Sequence, residues 1–209
     1  MQWKRGLKAI SKLGSLDDTA LIVEIISSFN GSSRNKQIAK WAKSEVGQRY
    51  INGDRLCHYT IDYKNSDNTL GKALCDLNYE IGELAPSNIR ATNVREAWGI
   101  WNVDTHDVSH IVSGYGTDGL GELLRAEHAK DYEGRGWRVV RFVIKMRFWV
   151  PYFFKHPKLF LEWRKQIKEA RKLGKKATPY LYVNWFKYLD RDLEAIRQYQ
   201  HITPPSLYT

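Results

Sequence analysis

Residues 106–122 constrain what this 209-residue chain can be more than any other stretch. They read His106-Asp107-Val108-Ser109-His110, then eleven residues, then Glu122. On a helix, at about 100° per residue, His110 lies about 40° round from His106 and Asp107 about 100° round. Three potential ligands then share one face. The segment that follows is built to turn the chain and restart it. Gly114 and Gly116 can supply the positive φ that a helix end needs. Thr117 is predicted to cap the next helix through its hydroxyl. Glu122 then projects from the second turn of that helix, back toward the two imidazoles.

Two neutral imidazoles and two carboxylates form a nitrogen and oxygen set suited to Zn²⁺, Mn²⁺, Fe²⁺ or Mg²⁺ and unsuited to Cu⁺. The competing reading makes His106 and His110 ordinary hydrogen-bonded histidines and Glu122 a solvated helix residue. Two enzyme motifs come close without fitting. Zincin peptidases carry Glu as the second residue, where Asp107 is one methylene shorter, and eleven residues is a short reach to a third ligand. Phosphohydrolases with an adjacent His-Asp pair need further His and Asp ligands, and nothing around His58 argues for it.

The stretch resembles the signature of the Coq-four family of ubiquinone-biosynthesis proteins. The match continues through Gly114-Tyr115-Gly116, Asp118 and Leu120-Gly121-Glu122, as in the bacterial branch. Leu70-Gly71, Gly174-Lys175-Lys176-Ala177, Trp185, Asp190, Leu193, Arg197, Ile202 and Pro204-Pro205 extend it through most of residues 65 to 205. Phe186 and Asp192 depart from it, standing where many relatives carry an acid and a proline. The resemblance implies a divalent metal on His106, Asp107, His110 and Glu122, with Zn²⁺ the leading expectation and Mg²⁺, Mn²⁺ or Fe²⁺ also compatible. Asp107 is then either a ligand or a base acting through bound water. The implied substrate is a prenylated hydroxybenzoate, whose ring carboxyl is replaced by hydroxyl in an oxidative decarboxylation. The alternative is a non-catalytic scaffold presenting a prenyl lipid to other quinone-biosynthesis enzymes. Relatives also suggest a homodimer.

Such a substrate, a long hydrocarbon with one small anionic head, needs an apolar groove, a polar end stop and an entrance facing the bilayer. Ile111, Tyr115, Leu123 and Phe142 are candidates for the groove. The entrance is where charge matters. The net charge is +10, yet residues 135–176 alone carry +12 and residues 15–134 carry −6. Trp3, Leu7, Ile10 and Leu13 share a helical face beside Lys4, Arg5 and Lys8, the pattern of a helix on an anionic membrane surface or of a short docking helix. No nucleic-acid motif accompanies the basic run, so charge alone does not support that partner. Uncharged runs reach only about ten residues, short of the roughly 18 that span a bilayer. No signal-peptide pattern appears, and Cys57 and Cys75 have no metal or redox spacing. The expectation is a peripheral protein on the cytoplasmic face of a membrane.

The rest of the chain reads as all-α, a single domain over residues 1–209 of about seven to nine helices. Apolar stripes predict helices over 17–29, 33–46 and 69–78, with irregular chain over 47–68. A long helix opened by the capping pair Asn93 and Glu96 runs to about Ser113. The next continues to about Tyr132, so that residues 93–133 form a helix-turn-helix carrying the motif. In it, Gly119 and Gly121 leave room for a backbone or head group near the metal. His128, about 240° round from Glu122, reads as a surface histidine. Residues 137–150 are apolar and aromatic with four cations, either a core helix or the border of a channel. A basic helix starts at Pro157 and is predicted to stop at Gly174. A last helix, capped by Asp190, buries Leu193 and Ile196.

Overall fold

The computed structural model describes residues 8, 11–12, 32–80, 90–129, 150, 154, 157–179 and 183–205. Among these every regular element is a helix, and the β pairing is limited to an isolated bridge between Thr69 and Asp192. The all-α expectation holds. The predicted helices over 17–29 and 137–150, together with Trp3, Lys4, Arg5 and Phe142, lie outside the described residues. Lys8 is helical and exposed. The described chain forms two compact units, one built mainly from residues 32–55 and 90–103, the other from 56–80, 104–129, 157–179 and 183–205.

In the first unit, α1 (Ser32–Ala42) and α2 (Glu45–Ile51) replace the single predicted helix 33–46. The chain breaks at Lys43–Ser44 because Ser44 takes the N-cap of α2, its Oγ accepting from the Gly47 amide at 3.2 Å. Ile38, Trp41, Val46 and Tyr50 turn inward. They meet the first half of α5 (Val94–Ser113), which brings Trp98 and Trp101. Trp41 stands edge-on to Trp98 at 5.1 Å between centroids, and Trp98 lies 4.7 Å from Trp101. The predicted capping pair opens α5, with one shift. Asn93 Oδ1 accepts from the Arg95 and Glu96 amides, while Glu96 reaches back to the amide of Thr92 rather than to Asn93.

In the second unit, α3 (Cys57–Thr60) and a 3-10 turn (Ile61–Tyr63) order part of the stretch predicted as irregular. They lead to α4 (Leu70–Glu80). The other elements are the second half of α5, α6 (Gly119–His128), α7 (Pro157–Lys176), a 3-10 turn (Trp185–Lys187) and α8 (Leu193–Tyr199). Val108 and Val112 of α5 are fully buried with Leu70, Leu74, Trp185 and Ile196. They lie about 200–240° round α5 from His106, so burying them turns the histidine face away from this core. The C-terminal end of α5 is held by Arg197, whose Nε donates to the Val112 carbonyl at 3.0 Å and Nη2 to that of Ile111 at 2.8 Å. These are carbonyls with no partner inside the helix. Asp192, not Asp190, caps α8 by accepting from the Ala195 amide at 2.8 Å.

α7 packs on α6. Gly174 does not stop α7, which continues to Lys176. Its role is close approach: a Cβ there would lie 2.0 Å from the His128 carbonyl oxygen. Arg171 of α7 donates to the buried Glu127 of α6 at 2.6 Å. No helix among the described residues is long and apolar enough to cross a membrane.

Candidate metal centre

His106 and His110 sit one turn apart on α5, their rings 4.7 Å between centroids. Glu122 meets them from the first turns of α6. Its Oε2 lies 3.2 Å from His106 Nε2 and its Oε1 3.1 Å from His110 Nε2. One ligand atom from each of the three residues falls within 4.8 Å of the others. The turn that brings the helices together differs from expectation in one residue. Asp118, not Thr117, caps α6, its Oδ1 accepting from the amides of Leu120 (2.8 Å) and Gly121 (3.0 Å). Gly114 takes the expected positive φ, +74°; Gly116 does not.

Gly116 has another function. Its carbonyl at 3.0 Å and that of Tyr115 at 3.1 Å both accept from His110 Nδ1. A carbonyl can only accept, so Nδ1 carries a proton, and in the neutral ring Nε2 is then bare, turned toward Glu122. Gly121 makes this possible: a Cβ there would stand 1.9 Å from the Gly116 carbonyl oxygen. The sequence pointed to Gly121 as a place of close approach, and the approaching group is backbone.

Asp107 is not among the three converging donors. Its Oδ1 lies 3.4 Å from Nδ1 of His106, on the ring edge away from Glu122. That is the usual place of a carboxylate that orients a ligating histidine. Burial and the Arg125 charge push His106 down, but Glu122 and Asp107 outweigh them and raise it to about 9. Burial, partly opposed by Glu122, holds His110 below its ordinary value and so neutral. Burial pushes the Glu122 carboxyl up, but the two imidazoles prevail and hold it well below the usual range. Two half-buried groups and one buried imidazole place N, N and O atoms around one point, a set that fits a divalent cation once it displaces the His106 proton.

Comparison with known proteins follows from this geometry. Neither a sequence-family profile nor a curated protein sequence matches the chain. The fold, however, resembles the crystal structure of a candidate ubiquinone biosynthesis protein from Nostoc punctiforme PCC 73102. The TM-score is 0.62 at 14% identity, over 94% of this chain and 96% of that one. At that identity the likeness is one of fold.

Of the residues proposed for the groove, Tyr115 and Leu123 are buried, and Ile111 is half-buried against the core of the second unit. The sequence reading missed Arg125. It is buried on α6, three residues after Glu122, with Nε 3.9 Å from Glu122 Oε2 and Nη1 donating to Ser109 Oγ at 3.2 Å. The i,i+3 spacing from the carboxylate was the available signal.

His128 corrects another expectation. It is buried, not on the surface, its ring 5.6 Å from that of Tyr115. It turns inward because α7, packed against α6, covers that side. Burial, with the Arg125 charge second, lowers it to about 4. In the unfolded chain it titrates near 6.5. Below that pH the unfolded chain takes up a proton that the fold refuses. The contribution of His128 to stability is therefore full above about pH 6.5 and falls by about 3 kcal/mol as pH drops to 4. Urea unfolding of the wild type and His128→Phe from pH 6.5 to 4 should show this slope as the difference between the two proteins.

Proposed function

We propose that this protein acts in ubiquinone biosynthesis, as a peripheral membrane metalloprotein that holds the polar head of a polyprenyl-tailed benzenoid at a divalent ion on His106, His110 and Glu122. One observation carries the metal reading. His110 Nε2 faces Glu122 Oε1 at 3.1 Å while its Nδ1 proton is committed to two carbonyls. A bare imidazole nitrogen and a carboxylate oxygen repel at that distance unless a proton or a metal ion lies between them, and a divalent ion satisfies both at once. Asp107 fixes the orientation of His106 from its outer nitrogen. The pathway is supported by the motif's resemblance to the Coq-four family and by the fold shared with the Nostoc punctiforme protein.

When bound, a divalent ion would supply Lewis-acid polarisation to a carboxylate, phenolate or phosphate oxygen. The reaction that fits is oxidative decarboxylation of a prenylated hydroxybenzoate. The ring–carboxyl bond breaks and a ring–oxygen bond forms. For each carboxylate and water consumed, one phenol, one carbon dioxide, one proton and two electrons result, so a two-electron oxidant such as dioxygen is required. Attachment to an anionic bilayer is supported by α7, where Arg164, Lys165, Lys168 and Lys172 are exposed around the exposed Leu161. Each cation near such a surface contributes about 1 kcal/mol.

Metal analysis of the wild type and His110→Ala tests the centre. About one ion per chain is expected in the first and almost none in the second, since losing one of three protein ligands leaves a poor site. Equal metal in both would remove the proposed centre. A single-turnover assay with a prenylated hydroxybenzoate and dioxygen then tests the chemistry. Release of carbon dioxide supports the enzyme; binding without release supports a lipid-presenting scaffold.

A further inference from the structure

We propose that Arg125 makes this centre selective for a single monoanionic group, an inference that rests on the metal reading above. Arg125 is a buried cation with 5% of its surface exposed. Its Nη1 is used by Ser109 Oγ at 3.2 Å. Its Nε has no hydrogen-bond partner among the described residues and stands 3.9 Å from Glu122 Oε2, too far for a hydrogen bond. A buried guanidinium whose Nε is left unsatisfied beside a ligand set is costly unless it serves something that arrives there.

The charges show what should arrive. Glu122 and Asp107 are negative, Arg125 is positive and two imidazoles bind as neutral ligands, a protein set of net −1. A divalent ion turns this to +1. Lacking Arg125, the same centre would be neutral, and only the ion's own Lewis acidity would favour an anion. With Arg125, one carboxylate, phenolate or monoanionic phosphate brings the buried site to zero, whereas a neutral head leaves a net cation out of water. Glu122 also lies in the first turn of α6, where the aligned amides add partial positive charge. Arg125 is thus an anion-binding residue adjoining the metal ligands, and its unused Nε is the donor available to the anion.

The test uses the full chain loaded with Co²⁺, whose visible absorption reports a change of ligand. Benzoate, inorganic phosphate and benzamide are titrated separately at about pH 6, where inorganic phosphate is chiefly the monoanion. Benzoate or phosphate should bind at least about five- to fifteenfold more tightly than benzamide, the difference between a hydrogen bond to a charged group and one to a neutral group. Whichever of the two binds more tightly identifies the head group as a carboxylate or a phosphate. Arg125→Gln should lose about five- to fifteenfold of that preference while retaining one cobalt per chain, and Arg125→Lys, which keeps the charge, should retain most of it. Equal affinity of the wild type for benzoate and benzamide overturns the proposal. So does an Arg125→Gln protein that binds cobalt and still prefers benzoate to the same degree. Should Arg125→Gln fail to fold, the wild-type comparison and Arg125→Lys decide. A wild-type protein that takes up no cobalt overturns the metal reading itself, and this inference with it.

Discussion

Gly121→Ala should cost the protein most of its metal affinity although it leaves every ligand in place. The added Cβ would stand 1.9 Å from the Gly116 carbonyl oxygen, so one of two backbones must move. The carbonyl it displaces is one of the two that accept from His110 Nδ1. Loss of such an outer partner typically weakens metal binding about ten- to a hundredfold. Because the clash is between main chains, side-chain repacking gives no relief, and the fold should lose about 1–3 kcal/mol as well. Competition with a chromogenic chelator measures the first effect and urea unfolding the second. A Gly121→Ala protein with wild-type metal affinity would mean that His110 does not depend on that carbonyl.

Trp98→Ala should be the most damaging truncation in the first unit. Trp98 is almost fully buried and in ring contact with both Trp41 and Trp101. Removing a buried indole costs about 3–5 kcal/mol, from lost transfer energy and the cavity left behind. Loss of the edge-on contact with Trp41 and the tilted one with Trp101 adds about 0.5–1.5 kcal/mol for each pair. Denaturant unfolding followed by far-ultraviolet dichroism gives the number, and a loss below about 1 kcal/mol would show that the site collapses without penalty.

Local patterns in the sequence carried furthest. The long helix from Asn93 to Ser113 was legible because its capping residues and its apolar spacing agree, and a helix fixes which side chains share a face. His106, His110 and Glu122 converge for the same reason: two imidazoles one turn apart need only a short turn to meet a third ligand. What the sequence did not reveal depends on neighbours distant along the chain. Gly174 looked like a helix stop because glycine usually is one there, yet α7 continues and uses the missing side chain to reach the His128 carbonyl. His128 looked exposed because helical angle alone says where a residue points, not what covers it; burial under α7 decides. Asp107 shares its helix face with the histidines, but the rotation of its side chain puts the carboxylate on the outer nitrogen of His106. The cap moved from Thr117 to Asp118 because both residue types can accept amide hydrogens, and adjacent candidates of that kind are not separable from sequence.

The grip of Arg197 on the last carbonyls of α5 links the order of synthesis to the completion of the centre. During translation, His106, His110 and Glu122 all leave the ribosome while the residue that ties off the histidines' helix has yet to be joined to the chain. A nascent polypeptide stalled short of Arg197 would hold both histidines on a helix whose last carbonyls lack their partner, and firm ion retention would await that residue.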